Sequence, residues 1–278
     1  MRELAYKRIL TVQDISCLGQ CSLTVALPIL SACGHEACII PSAVLSNHTA
    51  FESFTFRDLS EEIPAISKKW QELKVKFSAF YTGYLGKAEQ VPYIKELKET
   101  CLLSGAPLIV DPAMADGGKL YVGFDAEYVE AMKELCACAD IILPNLTEAC
   151  FLADLPYRED FSQEEIRQMV MNLGARFQCK VVLTGATTDP DKSGVAVLDG
   201  AEPIFYFHEK HSNGCHGTGD VYASVFAGAL MQGKSLYDSA RLAADFTADC
   251  IGFTNGDADH WYGVKFEPLL GDLIEKLK

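Results

Sequence analysis

Residues 213–230 read NGCHGTGDVYASVFAGAL. Gly214, Gly217 and Gly219 crowd up to Asp220, and the small apolar residues after it fall near helical spacing. This predicts a glycine loop that ends at a helix N-terminus, where unpaired N–H groups and the positive helix pole attract an anion. Glycine lets that anion come within hydrogen-bond reach of the main chain. Asp220 adds a carboxylate at the same point. Main-chain amides that hold phosphate beside an aspartate that takes a hydroxyl proton are suited to phosphoryl transfer. An ordinary N-cap, with Thr218 or Asp220 closing the helix, fits the same letters.

Other polar groups stand where apolar runs end. Asn145 and Glu148 in LPNLTEACFL are one helical turn apart. They suit either Mg²⁺ and its waters beside nucleotide phosphates, or an N-cap and its partner. Asp111 and Asp116 in VDPAMADGG are ion ligands or a polar turn. Asn47, His48 and Thr49 in VLSNHT suit recognition of a polar heteroaromatic or sugar, and equally a plain turn. Tyr84, flanked by glycines in YTGYLGKAEQ, suits stacking on a flat substrate or a place in the core.

The elements that must carry these groups follow from the apolar pattern. Short runs at 8–13, 37–41, 77–83, 107–111, 140–144 and 180–185 alternate with helical stretches such as 19–33, 60–73, 87–104 and 123–138. Continuously apolar strands alternating with helices predict an α/β fold: a mostly parallel sheet with helices on both faces. Gln13-Asp14, Asp111, Asn145 and Thr184-Gly185 end such runs, so they collect on the rim where open α/β sheets bind ligands. SGVAVLDG and PIFYFHEK predict an antiparallel hairpin at one edge, followed by the glycine loop, its helix and another near 235–253. No linker or internal repeat interrupts 1–278, which predicts a single domain. Segment 42–57 fits neither a covered strand nor a helix and is expected to form a flap over the rim.

Composition narrows the function. With 49% hydrophobic and 22% charged residues the chain has ample material for a core, and no apolar run is long enough to span a bilayer. A net charge of −14 without a basic stripe argues against nucleic-acid or anionic-membrane partners. The eleven cysteines, most in apolar surroundings, point to thiols used as core residues in a reducing cytoplasm. Cys136 and Cys138 lack a second pair to complete a zinc site. The N-terminal residues carry no signal-peptide pattern. No G-x-S-x-G elbow is present.

Together SNHT, GYLGKAEQ, DPAMAD, LPNLTEA and GTGD resemble, in order and approximate spacing, the ribokinase superfamily and within it the pyridoxal/pyridoxamine kinases. The resemblance covers nearly the whole chain, and SNHT with GYLG is its most specific part. It implies a ribokinase-like three-layer sandwich that moves the ATP γ-phosphoryl group to the 5′-hydroxyl of pyridoxal, pyridoxine or pyridoxamine. Asp220 would be the base, and Gly217, Thr218 and Gly219 the anion hole. Asp14, Ser16, Asn47, His48, Thr49 and Tyr84 would serve the vitamer. Asp111, Asp116 and Glu148 would lie at the metal, with Asn145, Glu148, Thr184 and Gly185 at the nucleotide.

Such kinases use Mg²⁺, often with K⁺, and are commonly homodimers. Leu143 stands where some relatives have a threonine that could ligate a monovalent ion. QDIS at 13–16 departs from the Gln-Ser of well-known pyridoxal kinases and is similar to hydroxymethylpyrimidine kinases. Those enzymes usually have cysteine in place of Asp220 and lack SNHT. A kinase of another hydroxymethyl heterocycle or sugar, or a non-catalytic vitamer or nucleotide sensor, are the rival readings. Cys215, close to the base, is a candidate to add to an aldehyde substrate.

Overall fold

The computed structural model describes residues 6–187, 191–211 and 215–278, so Gly214 lies outside the described residues. The first half of the chain runs β1 (Arg8–Ser16), α1 (Leu23–Ala32), β2 (Glu36–Leu45), β3 (Phe56–Asp58), α2 (Glu62–Glu72), β4 (Ala79–Thr82) and α3 (Val91–Cys101). Then follow β5 (Leu108–Val110), β6 (Ala115–Asp116), β7 (Lys119–Leu120), α4 (Ala126–Cys136), β8 (Ile141–Ile142), α5 (Leu146–Ala153) and α6 (Gln163–Phe177). The rest is β9 (Lys180–Thr184), β10 (Lys192–Leu198), β11 (Ile204–Glu209), α7 (Thr218–Met231), α8 (Leu236–Thr254) and α9 (Leu270–Leu277).

A nine-stranded sheet has the order β11-β10-β9-β8-β5-β4-β1-β2-β3. From β2 to β9 the neighbours are parallel. At one edge β10 and β11 form the expected antiparallel hairpin. The other edge differs from expectation. Residues 42–45 continue β2, and β3 pairs antiparallel with it through Ala43↔Asp58 and Leu45↔Phe56. Only 46–55 remains a loop. The polar stretch at 46–49 hides this strand because β3 is three residues long and carries exposed Phe56 and Arg57.

Alternate strand residues feed two cores. Leu10, Val12, Phe80, Val110, Ile142 and Leu183 meet α2–α6, while Ile9, Tyr81, Ile109 and Val182 meet α1, α7, α8 and α9. The result is the three-layer α/β sandwich that the apolar runs imply. Helix α7 packs so tightly on α1 that a Cβ at Gly228 would stand 2.4 Å from the Cys33 Sγ, which explains that glycine inside a helix. All eleven cysteines are free, and Cys33, Cys101, Cys136, Cys150 and Cys250 are buried. Among the described residues no helix is long and apolar enough to cross a membrane.

Phe226 on α7 is fully buried between the sheet and the α1/α8 layer. Phe226→Ala is expected to cost about 3–5 kcal/mol through lost burial and the cavity left behind. Chemical denaturation should show the midpoint falling with little change in slope.

Candidate active site

The carboxyl ends of β1, β8 and β9 and the segment after β5 open onto a cleft of about 660 Å³. Every site residue expected from the sequence lines it except Asn47. The Asn47 side chain is spent on its own loop, donating to Ser53 O at 2.9 Å and accepting from Ser46 Oγ at 2.7 Å. It shapes the 46–55 loop and does not face the cleft. Thr49, next but one, does.

Helix α7 begins as the glycine pattern predicts. Gly217 is its N-cap, at φ 81°, and a Cβ there would stand 1.7 Å from the Gln20 carbonyl oxygen. Glycine is obligatory at this position because both the backbone angle and the close approach exclude a side chain. Gly219 is different. A Cβ on it would meet no protein atom within 4 Å. Its bareness answers no demand of the fold and leaves room in the cleft.

Asp220 sits in the first turn of α7. It keeps partial exposure toward the cleft, while protein atoms close around it elsewhere. That burial raises its pKa to about 7, a hydrogen bond from the Ser22 N–H opposes the rise, and the Asp14 charge adds to it. Ser22 itself is held at φ 51°, a left-handed conformation that serine adopts only under constraint. Its side chain, with Ser16, hydrogen-bonds Asp14, the Ser16 Oγ donating at 2.8 Å. Burial still holds the Asp14 carboxyl above the usual range. The register of β1 against β2 shifts between Gln13 and Ile15, a bulge that places one extra β2 residue opposite Asp14.

Asn145 and Glu148 form a complete capping box at the start of α5. They do more than cap. Glu148 also accepts from Met114 N–H at 3.1 Å, and Asn145 Nδ2 donates to Ala115 O at 2.8 Å. The pair therefore ties the 114–115 segment to the cleft wall. Burial pushes the Asp111 carboxyl well up, and the charges of Glu148 and Asp220 push it further. Burial also raises Glu148, against the backbone N–H groups that stabilise its charge. The expected metal set of Asp111, Asp116 and Glu148 makes no protein cage: among the described residues no group of three or more His, Cys, Asp or Glu could hold an ion. The Glu148 oxygens are taken by backbone donors, and Asp116 accepts from Gly117 N–H at 2.8 Å on an exposed hairpin. Asp111 alone points a carboxylate without a hydrogen-bond partner at the cleft. Such a donor set suits an ion held by one carboxylate together with substrate phosphates.

At one end Tyr84 stacks on Phe124, centroids 5.2 Å apart, and Phe124 stacks on Tyr128 at 3.6 Å. This column gives Tyr84 a fixed face. His48 is a clasp: its Nε2 meets Tyr262 O, its Nδ1 accepts from Ala50 N–H at 3.3 Å, and its ring fills the space a Cβ at Gly19 would take. Those partners assign the proton to Nε2. At the other end lie Thr184 and Gly185, the latter at φ 70° with nothing within 4 Å of a Cβ. Cys215 lines the cleft too, but burial raises its thiol pKa, the opposite of what a nucleophile needs. Sequence reasoning missed Cys21, Ser22 and Lys119, which also line the cleft. The usable signals were position alone: GQCS follows the first strand, and DGGK carries a Gly-Gly turn.

This topology is the ribokinase-like α/β fold. The sequence profile described as phosphomethylpyrimidine kinase matches residues 30–263, and the chain belongs to that family. A Bacteroides thetaiotaomicron protein named for phosphomethylpyrimidine kinase, crystallised in a form with pyridoxal, is 36% identical, with a TM-score of 0.92 and 96% of each chain covered. Pyridoxal kinase from Lactobacillus plantarum is 31% identical, with a TM-score of 0.89 and 97% of each chain covered. The thiamine biosynthetic bifunctional enzyme of Arabidopsis thaliana is 27% identical over 232 residues, 76% of this chain. The chain spans only 41% of that enzyme's length.

The two glycines separate by experiment. Gly217→Ala should lower the melting temperature by several degrees, roughly what a loss of 1–3 kcal/mol implies. Gly219→Ala should melt within about a degree of the parent, since its Cβ enters empty space. Differential scanning calorimetry of the two variants checks the contrast.

Proposed function

We propose that the protein phosphorylates the 5′-hydroxyl of a vitamin B6 vitamer with ATP. The observation that carries this reading is the raised Asp220 carboxylate, set beside bare main-chain amides at the start of α7 on the floor of the cleft. The relatives named for pyridoxal kinase, and the similar chain crystallised with pyridoxal, support the vitamer. Its ring lies on Tyr84, within reach of Asp14 and Thr49, and the loop 46–55 covers it. Adenine and ribose lie toward Thr184 and Gly185.

In the reaction Asp220 takes the hydroxyl proton as the oxygen attacks. The new O–P bond forms while the bond to the leaving ADP breaks. The amides of Gly217, Thr218 and Gly219 hold the charge on the transferred group, where donors fixed in advance act without reorganising. Asp111 would hold Mg²⁺, which neutralises phosphate charge when bound. A pKa of about 7 suits a base that must be ionised before transfer and must accept a proton during it.

The Asp14–Ser16 pair favours hydroxymethylpyrimidine as a second substrate reading, because that D-x-S pattern is similar to the pyrimidine kinases. ADP release measured side by side with pyridoxal, pyridoxamine, pyridoxine and hydroxymethylpyrimidine tests both. The highest kcat/KM is expected on a B6 vitamer, and turnover of the pyrimidine alone would replace the first reading with the second.

Asp220→Asn is expected to cut turnover about 10²–10⁴-fold. In the parent enzyme kcat/KM should fall tenfold per pH unit below about 7, because protonation removes the base. Stability moves the other way. A carboxyl whose folded pKa is raised binds its proton better in the folded state, so its ionisation weakens the fold as pH rises from about 4 through about 7. The asparagine variant should therefore melt higher than the parent at pH 8 in the absence of ligand, an advantage that vanishes near pH 4.

A further inference from the structure

The cleft is lined by Asp14, Asp111, Asp116, Glu148 and Asp220, in a chain of net charge −14. A nucleoside triphosphate entering it meets like charge in a partly water-excluded space, where repulsion is strong. Among the described residues Lys119 is the only lysine or arginine that lines the cleft. It forms no ion pair or hydrogen bond with another described side chain, although this protein pairs many of its surface lysines.

Its position is built rather than incidental. Lys119 stands directly across the β6–β7 hairpin from Asp116, so both side chains leave the same face, and both reach the cleft. Gly117 and Gly118, at φ 55° and 78°, close the two-residue turn as glycine alone does easily. The hairpin is fastened to the start of α5 by three side chains. Glu148 accepts from Met114 N–H, Asn145 donates to Ala115 O, and Thr147 Oγ1 accepts from Gly118 N–H at 3.1 Å. The Tyr157 ring fills the space over Gly118, where a Cβ would come within 2.6 Å. A lysine with only solvent to serve would need none of this anchoring.

We propose that Lys119 is a catalytic residue that contacts the terminal phosphates of ATP and holds the transferred phosphoryl group from the side opposite the α7 amides. It rests on the kinase reading above. The ammonium group supplies a mobile point charge suited to phosphate, and it acts most where charge spreads over the transferring group.

The test compares Lys119→Met and Lys119→Arg with the parent, using calorimetric titration of AMP and of a non-hydrolysable ATP analogue, together with turnover. The methionine variant should bind AMP as the parent does, bind the ATP analogue about tenfold more weakly, and lose about 10²-fold in kcat. The arginine variant should recover most of both losses, with an unchanged melting temperature in each. Unchanged affinity for the ATP analogue in the methionine variant, or an equal loss for AMP, overturns the proposal. A parent protein that phosphorylates no vitamer would instead overturn the vitamer reading, while the nucleotide titrations would still decide the role of Lys119.

Discussion

Negative charge confined in a cleft is the constraint on which the rest of the structure turns. Asp14, Asp111, Glu148 and Asp220 all have pKa values raised by burial; Glu148 and Asp220 raise Asp111 further, and Asp14 raises Asp220. Such a cluster destabilises the chain that holds it, which is usual where groups are arranged for chemistry. The surrounding elements offset the cost locally. Backbone N–H groups of Asn145 and Met114 face Glu148, the Ser22 N–H faces Asp220, and serine hydroxyls face Asp14. What is left over is an affinity for positive charge.

Two helix starts converge on this floor. Ser22 precedes α1, Gly217 precedes α7, and the carbonyl of Gln20 lies so close to Gly217 that no side chain fits between them. The strained backbone at Ser22 is a consequence: it turns an N–H toward Asp220 while its hydroxyl reaches Asp14. One awkward residue thus links the carboxylate on the first strand with the one on the late helix.

Much of this was legible in the sequence, and the reasons differ by element. Continuous apolar runs gave away the parallel strands because both faces of the sheet are covered. Polar endings on those runs gave away the rim. The glycine loop and its helix followed from residues that no helix interior would choose. Elements of two or three residues, such as β3, β6 and β7, carry no period, and only the Gly117-Gly118 turn between the last two left a signal. Asn145 and Glu148 satisfy both of the alternatives open at first, since the same bonds cap α5 and hold the cleft wall. The place of His48 depends on Tyr262, too distant in the chain for any local pattern to reveal.

That last contact has a bearing on biosynthesis. Gln20 abuts Gly217 and His48 meets Tyr262, so segments from the first and last thirds of the polypeptide meet beside the cleft. A nascent chain with β1, β2 and the Tyr84 column already made still lacks that side of the cleft until residues 217–220 emerge from the ribosome.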